Sequence, residues 1–94
     1  MAVSSGSRVT IPPDVLVSRA GEESVILDVN SERYYGLDSV GTRMWELLSA
    51  HGTVEPAYAA LLEEFDVDAE RLRSDLYELI EKLVEQGLLE VSDE

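Results

Sequence analysis

The stretch from Arg33 to Leu48, RYYGLDSVGTRMWELL, contains a change from strand to helix that sets the fold. Its first five residues combine aromatic and small side chains, which favours a short β-strand over 33–37. The pair Asp38-Ser39 then offers a helix N-cap, and the apolar residues that follow recur at helical spacing. We therefore predict a helix over about 39–50 that ends at Gly52, since glycine is the usual residue just beyond a helix.

Short strand patterns precede this stretch. The run Ser24 to Val29 is joined to the 33–37 strand by Asn30-Ser31-Glu32, which predicts a hairpin with a short loop, and Asn30 tolerates the left-handed conformation that such loops need. Val25, Leu27 and Val29 alternate with polar residues, so one face of that strand is apolar, and on its partner Tyr35 and Leu37 are placed on the core side with Tyr34 opposite. Two earlier strand candidates, Arg8 to Ile11 and Val15 to Val17, flank Pro12-Pro13.

Two further helices follow. Thr53 is the predicted N-cap of the second helix, and Asp68 that of the third, which we expect to stop at Gly87 with Leu88 packed against Leu83 in a Schellman motif. On a helical wheel the third helix has two apolar rows: a core stripe of Leu72, Leu76, Leu79 and Leu83, and beside it Arg73, Tyr77, Ile80 and Val84. Residues Leu88 to Val91 form a last short strand or a packed tail.

The order of elements, strands first and helices after, predicts an α+β fold. We expect a winged-helix-like domain in which a three-stranded antiparallel sheet is followed by three α-helices. The predicted domain organisation is a disordered tail over residues 1–7 and a single domain over residues 8–91.

The composition excludes several classes of function. The chain has 94 residues, a formal net charge of -13 and no cysteine, so disulfides and thiolate metal sites are excluded. A field of that sign repels phosphate backbones, which argues against nucleic-acid binding. No apolar run is long enough for a membrane span, and the first residues lack the apolar segment of a secretory signal. A cytoplasmic location fits these features.

The sequence contains few candidate catalytic residues. His51 is the one histidine, and it lies at a predicted helix end, where it suits the helix dipole rather than a triad or a metal site. The many carboxylates fall on predicted solvent faces. We therefore expect no enzyme activity, no metal and no cofactor.

The strand 33–37 is the last of the predicted sheet, so it is expected at an edge, where unpaired backbone groups are available to another strand. It contains neither proline nor lysine, and Gly36 leaves room for another backbone. From the residues alone, three interpretations stay open: a peptide-docking edge, a structural subunit whose edge is covered by its own chain or a partner, and a DNA-binding winged-helix regulator.

Three segments resemble the PqqD-like family of RiPP recognition elements, which bind the leader peptides of ribosomally made, modified peptides. They are Ile26 to Val29, the block Tyr34 to Leu48, and the closing run Leu83 to Leu89. The resemblance extends over nearly the whole chain, from about Val15 to Val91, and is most specific in the block. A free-standing chain of this size is most similar to the separate recognition protein of lasso-peptide pathways.

The resemblance implies that a precursor leader peptide is bound as an added antiparallel strand between the third strand and the third helix. It also implies delivery of the precursor to two partners, a leader-cleaving cysteine protease and an ATP-dependent cyclase, without nucleic acid or membrane. With side chains chosen from the helical wheel, the expected peptide-binding residues are Arg33, Tyr34, Tyr35, Gly36, Leu37, Arg73, Leu76, Tyr77 and Ile80.

Overall fold

The computed structural model describes residues 3, 4 and 6–92. These residues form four strands, three helices and a last strand, so the predicted α+β order is confirmed. The elements are β1 (Arg8–Thr10), β2 (Val15–Ala20), β3 (Glu23–Asp28), β4 (Arg33–Leu37), α1 (Ser39–His51), α2 (Val54–Glu64), α3 (Ala69–Glu85) and β5 (Glu90–Ser92).

The strands form two separate antiparallel sheets. The larger has the order β2-β3-β4, which is the predicted three-stranded sheet. The smaller pairs β1 with β5, so the end of the chain returns as a strand beside its beginning. The prolines after β1 explain why it does not continue into β2, because a proline cannot donate to a ladder.

The large sheet turns one face to the core and the other to solvent. Ile26 in the central strand is fully buried, and Leu37 in β4 is 5% exposed. The alternate row, which the sequence marks as apolar, faces outward instead: Val25 is 42% exposed and Leu27 37% exposed. Alternation thus identified an apolar face of β3, but the core is built on the opposite face, where Ile26 packs.

The β3–β4 hairpin turns through residues 29–32. The Asp28 carboxylate accepts hydrogen bonds from the backbone N–H groups of Asn30 at 2.9 Å and Ser31 at 3.3 Å, which makes a local Asx turn. The loop needs a left-handed residue, as expected, but Asn30 does not supply it. The left-handed residue is Glu32, with φ 62°, because this four-residue loop places that conformation at its last position.

The junction between β4 and α1 is tightly built. Asp38 caps α1 by accepting a hydrogen bond from the Gly41 N–H at 2.8 Å. A Cβ on Gly41 would meet Leu37 Cδ2 at 3.2 Å, so the glycine lets the helix approach the strand closely. In the next position the buried hydroxyl of Thr42 lies 2.8 Å from that of Ser24 in β3. These contacts of Asp38, Gly41 and Thr42 fix α1 against both β3 and β4.

Helix α3 begins and ends as the sequence predicts. Asp68 accepts from the Arg71 N–H at 3.0 Å, and Gly87 has φ 75°. The Leu88 N–H donates to the Leu83 carbonyl at 2.9 Å, which is the long hydrogen bond of a Schellman motif, and both leucine side chains are fully buried. This cap fixes where α3 stops and β5 can start.

The buried face of α3 differs from the predicted core stripe at one of four positions. Leu72, Leu76 and Leu83 are buried as expected, but the fourth buried residue is Ile80. Leu79 is only half buried. The helix is therefore rotated slightly from the orientation that the leucine pattern alone favours, and Leu79 becomes available to a surface groove.

Two described residues of the predicted tail, Val3 and Ser7, contact the rest of the domain. Ser7 is fully buried, and its carbonyl accepts a hydrogen bond from the Val54 N–H at 3.0 Å at the start of α2. Val3 packs against the core. Met1, Ala2 and Ser5, the other part of that prediction, lie outside the described residues.

Surface ion pairs connect α1 with α2 and with β2. The Arg43 guanidinium donates to both carboxylate oxygens of Glu64, at 2.8 Å and 2.7 Å, and to Glu46 at 3.3 Å. Glu46 also pairs with Arg19. The hydrogen bonds from Arg43 lower the pKa of Glu64 below its ordinary value. Arg43 of the motif block is thus a bridge between helices.

None of the helices within the described ranges is both long and apolar enough to cross a membrane.

Candidate functional site

Strand β4 lies at an edge of the large sheet. Its one neighbour is β3, and within residues 3, 4 and 6–92 no other strand pairs with it. A Cβ added to Gly36 would meet no atom within 4 Å, so the space above the strand is open at that point. The structure therefore places β4 at the sheet edge that the sequence predicts, and the side of β4 opposite β3 is open to pairing.

The register determines which backbone groups of β4 are free. Val29 donates from its backbone N–H to the Asp14 carbonyl on the β2 side, while the Asp28 carbonyl accepts from Glu32 on the β4 side. Because both backbone groups of a strand residue point the same way and alternate along the strand, Ile26 directs its groups toward Tyr35.

By the same alternation, the N–H and C=O of Tyr34 and Gly36 point away from the sheet, while those of Tyr35 face the β3 partner. The free edge thus offers four backbone groups, two donors and two acceptors, from two residues. These groups are spaced to accept an added antiparallel strand.

A groove of about 340 Å³ opens beside this edge, between β4, the start of α1 and the middle of α3. Its apolar surface includes the half-buried side chains of Tyr35 and Leu79 and the exposed Val40. The complete lining is Tyr35, Asp38, Val40, Gly41, Met44, Asp75, Glu78, Leu79 and Lys82. A strand added to β4 would direct alternate side chains into this groove.

The rim of the groove is mainly acidic. Asp38, Asp75 and Glu78 contribute carboxylates, and Lys82 contributes one ammonium group. The Asp38 carboxylate is engaged at the α1 cap, and Lys82 pairs with Glu78 at 3.6 Å. Asp75 makes no ion pair or side-chain hydrogen bond with the described part of the chain, so its charge is directed at solvent and at whatever enters the groove.

The predicted site residues of the sheet are positioned in four ways. Tyr35 lines the groove, whereas Leu37 is buried in the core beneath it. Tyr34, 70% exposed, directs its side chain to the outer face of the sheet and contributes backbone groups to the edge, as does Gly36. Arg33 is exposed at the hairpin end of the strand.

The predicted residues of α3 do not line the groove. Leu76 and Ile80 are fully buried, so they support the helix from the core side. Arg73 lies over the ring of Tyr58 in α2, with its Cζ atom 4.6 Å from the ring centroid, and the half-buried Tyr77 packs against the core. The face of α3 that was chosen from the helical wheel is therefore the face directed at the core and α2.

Sequence reasoning missed the groove face of α3. Asp75, Leu79 and Lys82 lie at spacings of four and three residues, which places them on one side of the helix, with Glu78 beside them. That spacing was a usable signal. The leucine pattern alone places Leu79 in the core stripe and leaves the charged residues on a solvent face.

The site carries no grouping suited to metal binding. Over the described ranges no set of three or more histidine, cysteine or carboxylate side chains comes together. His51, at the end of α1, is exposed and does not line the groove. What the geometry offers is a surface for an extended peptide: backbone groups along an edge, apolar contacts below and carboxylates beside them.

Comparison with known proteins gives a family match and two similar solved structures. A family model described as coenzyme PQQ synthesis protein D (PqqD) matches residues 23–89. A solved structure described as TbiB1 in complex with the TbiA(beta) leader peptide is 32% identical, with TM-score 0.79, over 85% of this chain and 93% of that chain. The search of curated proteins found no match to this chain.

A second solved structure shares the fold. It is described as lasso peptide synthetase B1 complexed with the leader peptide, has 20% sequence identity and TM-score 0.78, and is matched over 88% of this chain and 98% of that one. The family match includes both the free edge strand and the groove face of α3, and more than half of the residues. The family suggested by the sequence is therefore confirmed, and this chain belongs to the PqqD family.

Proposed function

We propose that this chain is a non-catalytic recognition element that binds the leader peptide of a ribosomally made precursor, most similar to the recognition proteins of lasso-peptide pathways. The leader adds to β4 as a further antiparallel strand and directs alternate side chains into the groove between β4 and α3. The observation that carries this proposal is the free edge at Tyr34 and Gly36 beside an apolar groove.

The comparisons support the choice of ligand. The structure at 32% identity is described as a complex with a leader peptide, and it extends over most of both chains. Because this chain and that structure match in fold over most of their length, this chain is expected to hold the same class of ligand. The proposed peptide-binding groups are the backbone of Tyr34 and Gly36 and the side chains of Tyr35, Val40 and Leu79.

Titration of the leader peptide tests the proposal. The probe is the leader segment of any short precursor peptide encoded beside this chain, and its control is a scrambled peptide of the same composition. Because a disordered leader loses conformational entropy when it binds, we expect a Kd on the order of nanomolar to micromolar by calorimetry. Saturable binding of the leader and not of the scrambled peptide is the expected result; equal or absent binding of both contradicts it.

We further propose that the bound precursor is delivered in the cytoplasm to a leader-cleaving cysteine protease and an ATP-dependent cyclase. This step rests on the family resemblance. It predicts that a protease encoded with this chain cleaves the precursor faster when the chain is present, and that the gain disappears in variants that no longer bind the leader. Cleavage at the same rate with and without the chain contradicts delivery.

A further inference from the structure

The charges of the groove indicate what kind of strand it selects. Three carboxylates and one ammonium group surround the apolar lining, and the ammonium group of Lys82 is already paired with Glu78 at 3.6 Å. Asp75 has no such partner among the described residues. A peptide side chain that enters beside Asp75 therefore meets uncompensated negative charge.

The position of Asp75 along α3 makes this charge local to the groove. It lies one helical turn before Leu79, so both side chains are on the same face, one acidic and one apolar. A strand that places an apolar side chain against Leu79, Val40 and Tyr35 directs side chains at an even spacing from it into the same groove. Such a neighbouring side chain would meet the carboxylates of Asp75 and Glu78, which line the same groove.

We propose that the groove selects a leader strand in which a lysine or arginine side chain, an even number of residues from an apolar one, is directed at Asp75 and Glu78. This inference rests on the proposed function, since it names the class of leader that the same groove takes. The sequence prediction placed Arg33 and Arg73 among the peptide-binding residues, as candidate partners for acidic groups or main-chain carbonyls of the leader. Arg73 is instead held over the Tyr58 ring, on the α2 side of the helix.

The net charge of -13 acts in the same direction but over a longer range. It favours the approach of any basic peptide, and added salt screens this attraction. A test of the local selection must therefore compare two protein variants that have the same net charge. Helix α3 offers a matched control for this purpose: Glu81 is exposed on the same helix and does not line the groove.

The experiment compares Asp75→Lys with Glu81→Lys, which change the net charge of the protein equally. The probe is the leader segment encoded beside this chain, together with variants in which each lysine or arginine is replaced singly by glutamate. Affinity is measured by fluorescence anisotropy at constant ionic strength, and folding of both protein variants is checked by circular dichroism.

We expect Asp75→Lys to weaken binding of the natural leader about fivefold, the upper range for an exposed ion pair, and Glu81→Lys to weaken it less than twofold. One glutamate replacement in the leader, at an even spacing from the apolar position, is expected to weaken binding to the wild-type protein. The same replacement is expected to restore binding to Asp75→Lys.

Three results overturn the inference while leaving leader recognition intact: equal effects of the two protein variants, a leader that binds but has no basic residue, and the absence of any compensating pair. Absence of binding between the wild-type protein and every leader variant contradicts the proposed function itself. The two failures are therefore distinguishable within one set of titrations.

Discussion

The hydroxyl groups of Ser24 and Thr42 lie 2.8 Å apart, and the two residues are 3% and 2% exposed. The contact connects the central strand of the large sheet with α1 inside the domain. A buried hydroxyl that loses its partner costs about 1–3 kcal/mol, whereas replacing both partners by apolar groups is nearly neutral. This pair is therefore sensitive to the loss of one member.

We predict that Thr42→Val lowers the free energy of unfolding by about 1–3 kcal/mol, because the Ser24 hydroxyl is left buried without its partner. Ser24→Ala combined with Thr42→Val should recover part of that loss. Chemical denaturation of the two single variants and the double variant measures the coupling. Strictly additive losses would show that the hydroxyls do not act as a pair.

The edge of β4 gives a prediction about peptide binding. Gly36→Pro removes an outward-facing N–H without taking a donor from the β3 ladder, so the fold should be retained. Leader affinity is expected to fall about tenfold through the lost hydrogen bond. The measurement is a leader titration of the variant and the wild-type protein.

Val17→Pro is the matched control, since alternation places the Val17 N–H on the opposite free edge of the same sheet, at β2. It should leave leader affinity unchanged. If Val17→Pro weakens binding and Gly36→Pro does not, the peptide docks on β2 and the assignment of the edge is wrong.

Two alanine variants distinguish how much each of the two faces of α3 contributes to leader affinity. Leu79→Ala removes apolar surface from the groove and is expected to weaken leader binding about three- to tenfold. Arg73→Ala removes a side chain that lies over Tyr58, so it should leave leader affinity within about twofold while slightly lowering stability. The reverse pattern in leader titrations would show that the leader binds the row of α3 that contains Arg73, as the helical wheel suggested.

The bridge between Arg43 and Glu64 predicts a dependence of stability on pH. Hydrogen bonds from Arg43 lower the pKa of the Glu64 carboxyl in the folded protein. A depressed pKa contributes stability above the unfolded value, near 4.5, and that contribution is lost as the pH falls through the folded value.

Thermal unfolding of Glu64→Gln and wild type should therefore show the wild type more stable at pH 7 and the difference shrinking below about pH 4.5. Because the pair is exposed, the difference at pH 7 is expected to be small and to decrease with salt. A difference that grows on acidification contradicts the stabilising role of the bridge.

The elements of the fold could largely be predicted from the sequence because their boundaries depend on local signals. Asp38, Asp68 and Gly87 act through caps that involve only nearby backbone groups, and all three do what the sequence indicates. The edge position of β4 also followed from element order. The pairing of β1 with β5 could not be predicted, because it joins the two ends of the chain through tertiary contacts.

The groove was harder to predict because it depends on the rotation of a helix and the face of a sheet. One row of α3 residues separates Ile80 in the core from Leu79 in the groove, and both are aliphatic. Similarly, Ile26 and Leu27 are adjacent aliphatic residues with opposite placements. Hydrophobicity alone does not distinguish such neighbours; the packing of the neighbouring elements decides between them.

Strand addition at β4 can be followed by amide hydrogen exchange, measured by NMR with and without the leader peptide. The amides of Tyr34 and Gly36 are expected to exchange rapidly in the free protein and to become protected when the leader binds. The amide of Val17, on the opposite edge, should be unaffected. Binding without added protection at Tyr34 and Gly36, or with protection at Val17 instead, would contradict strand addition at β4.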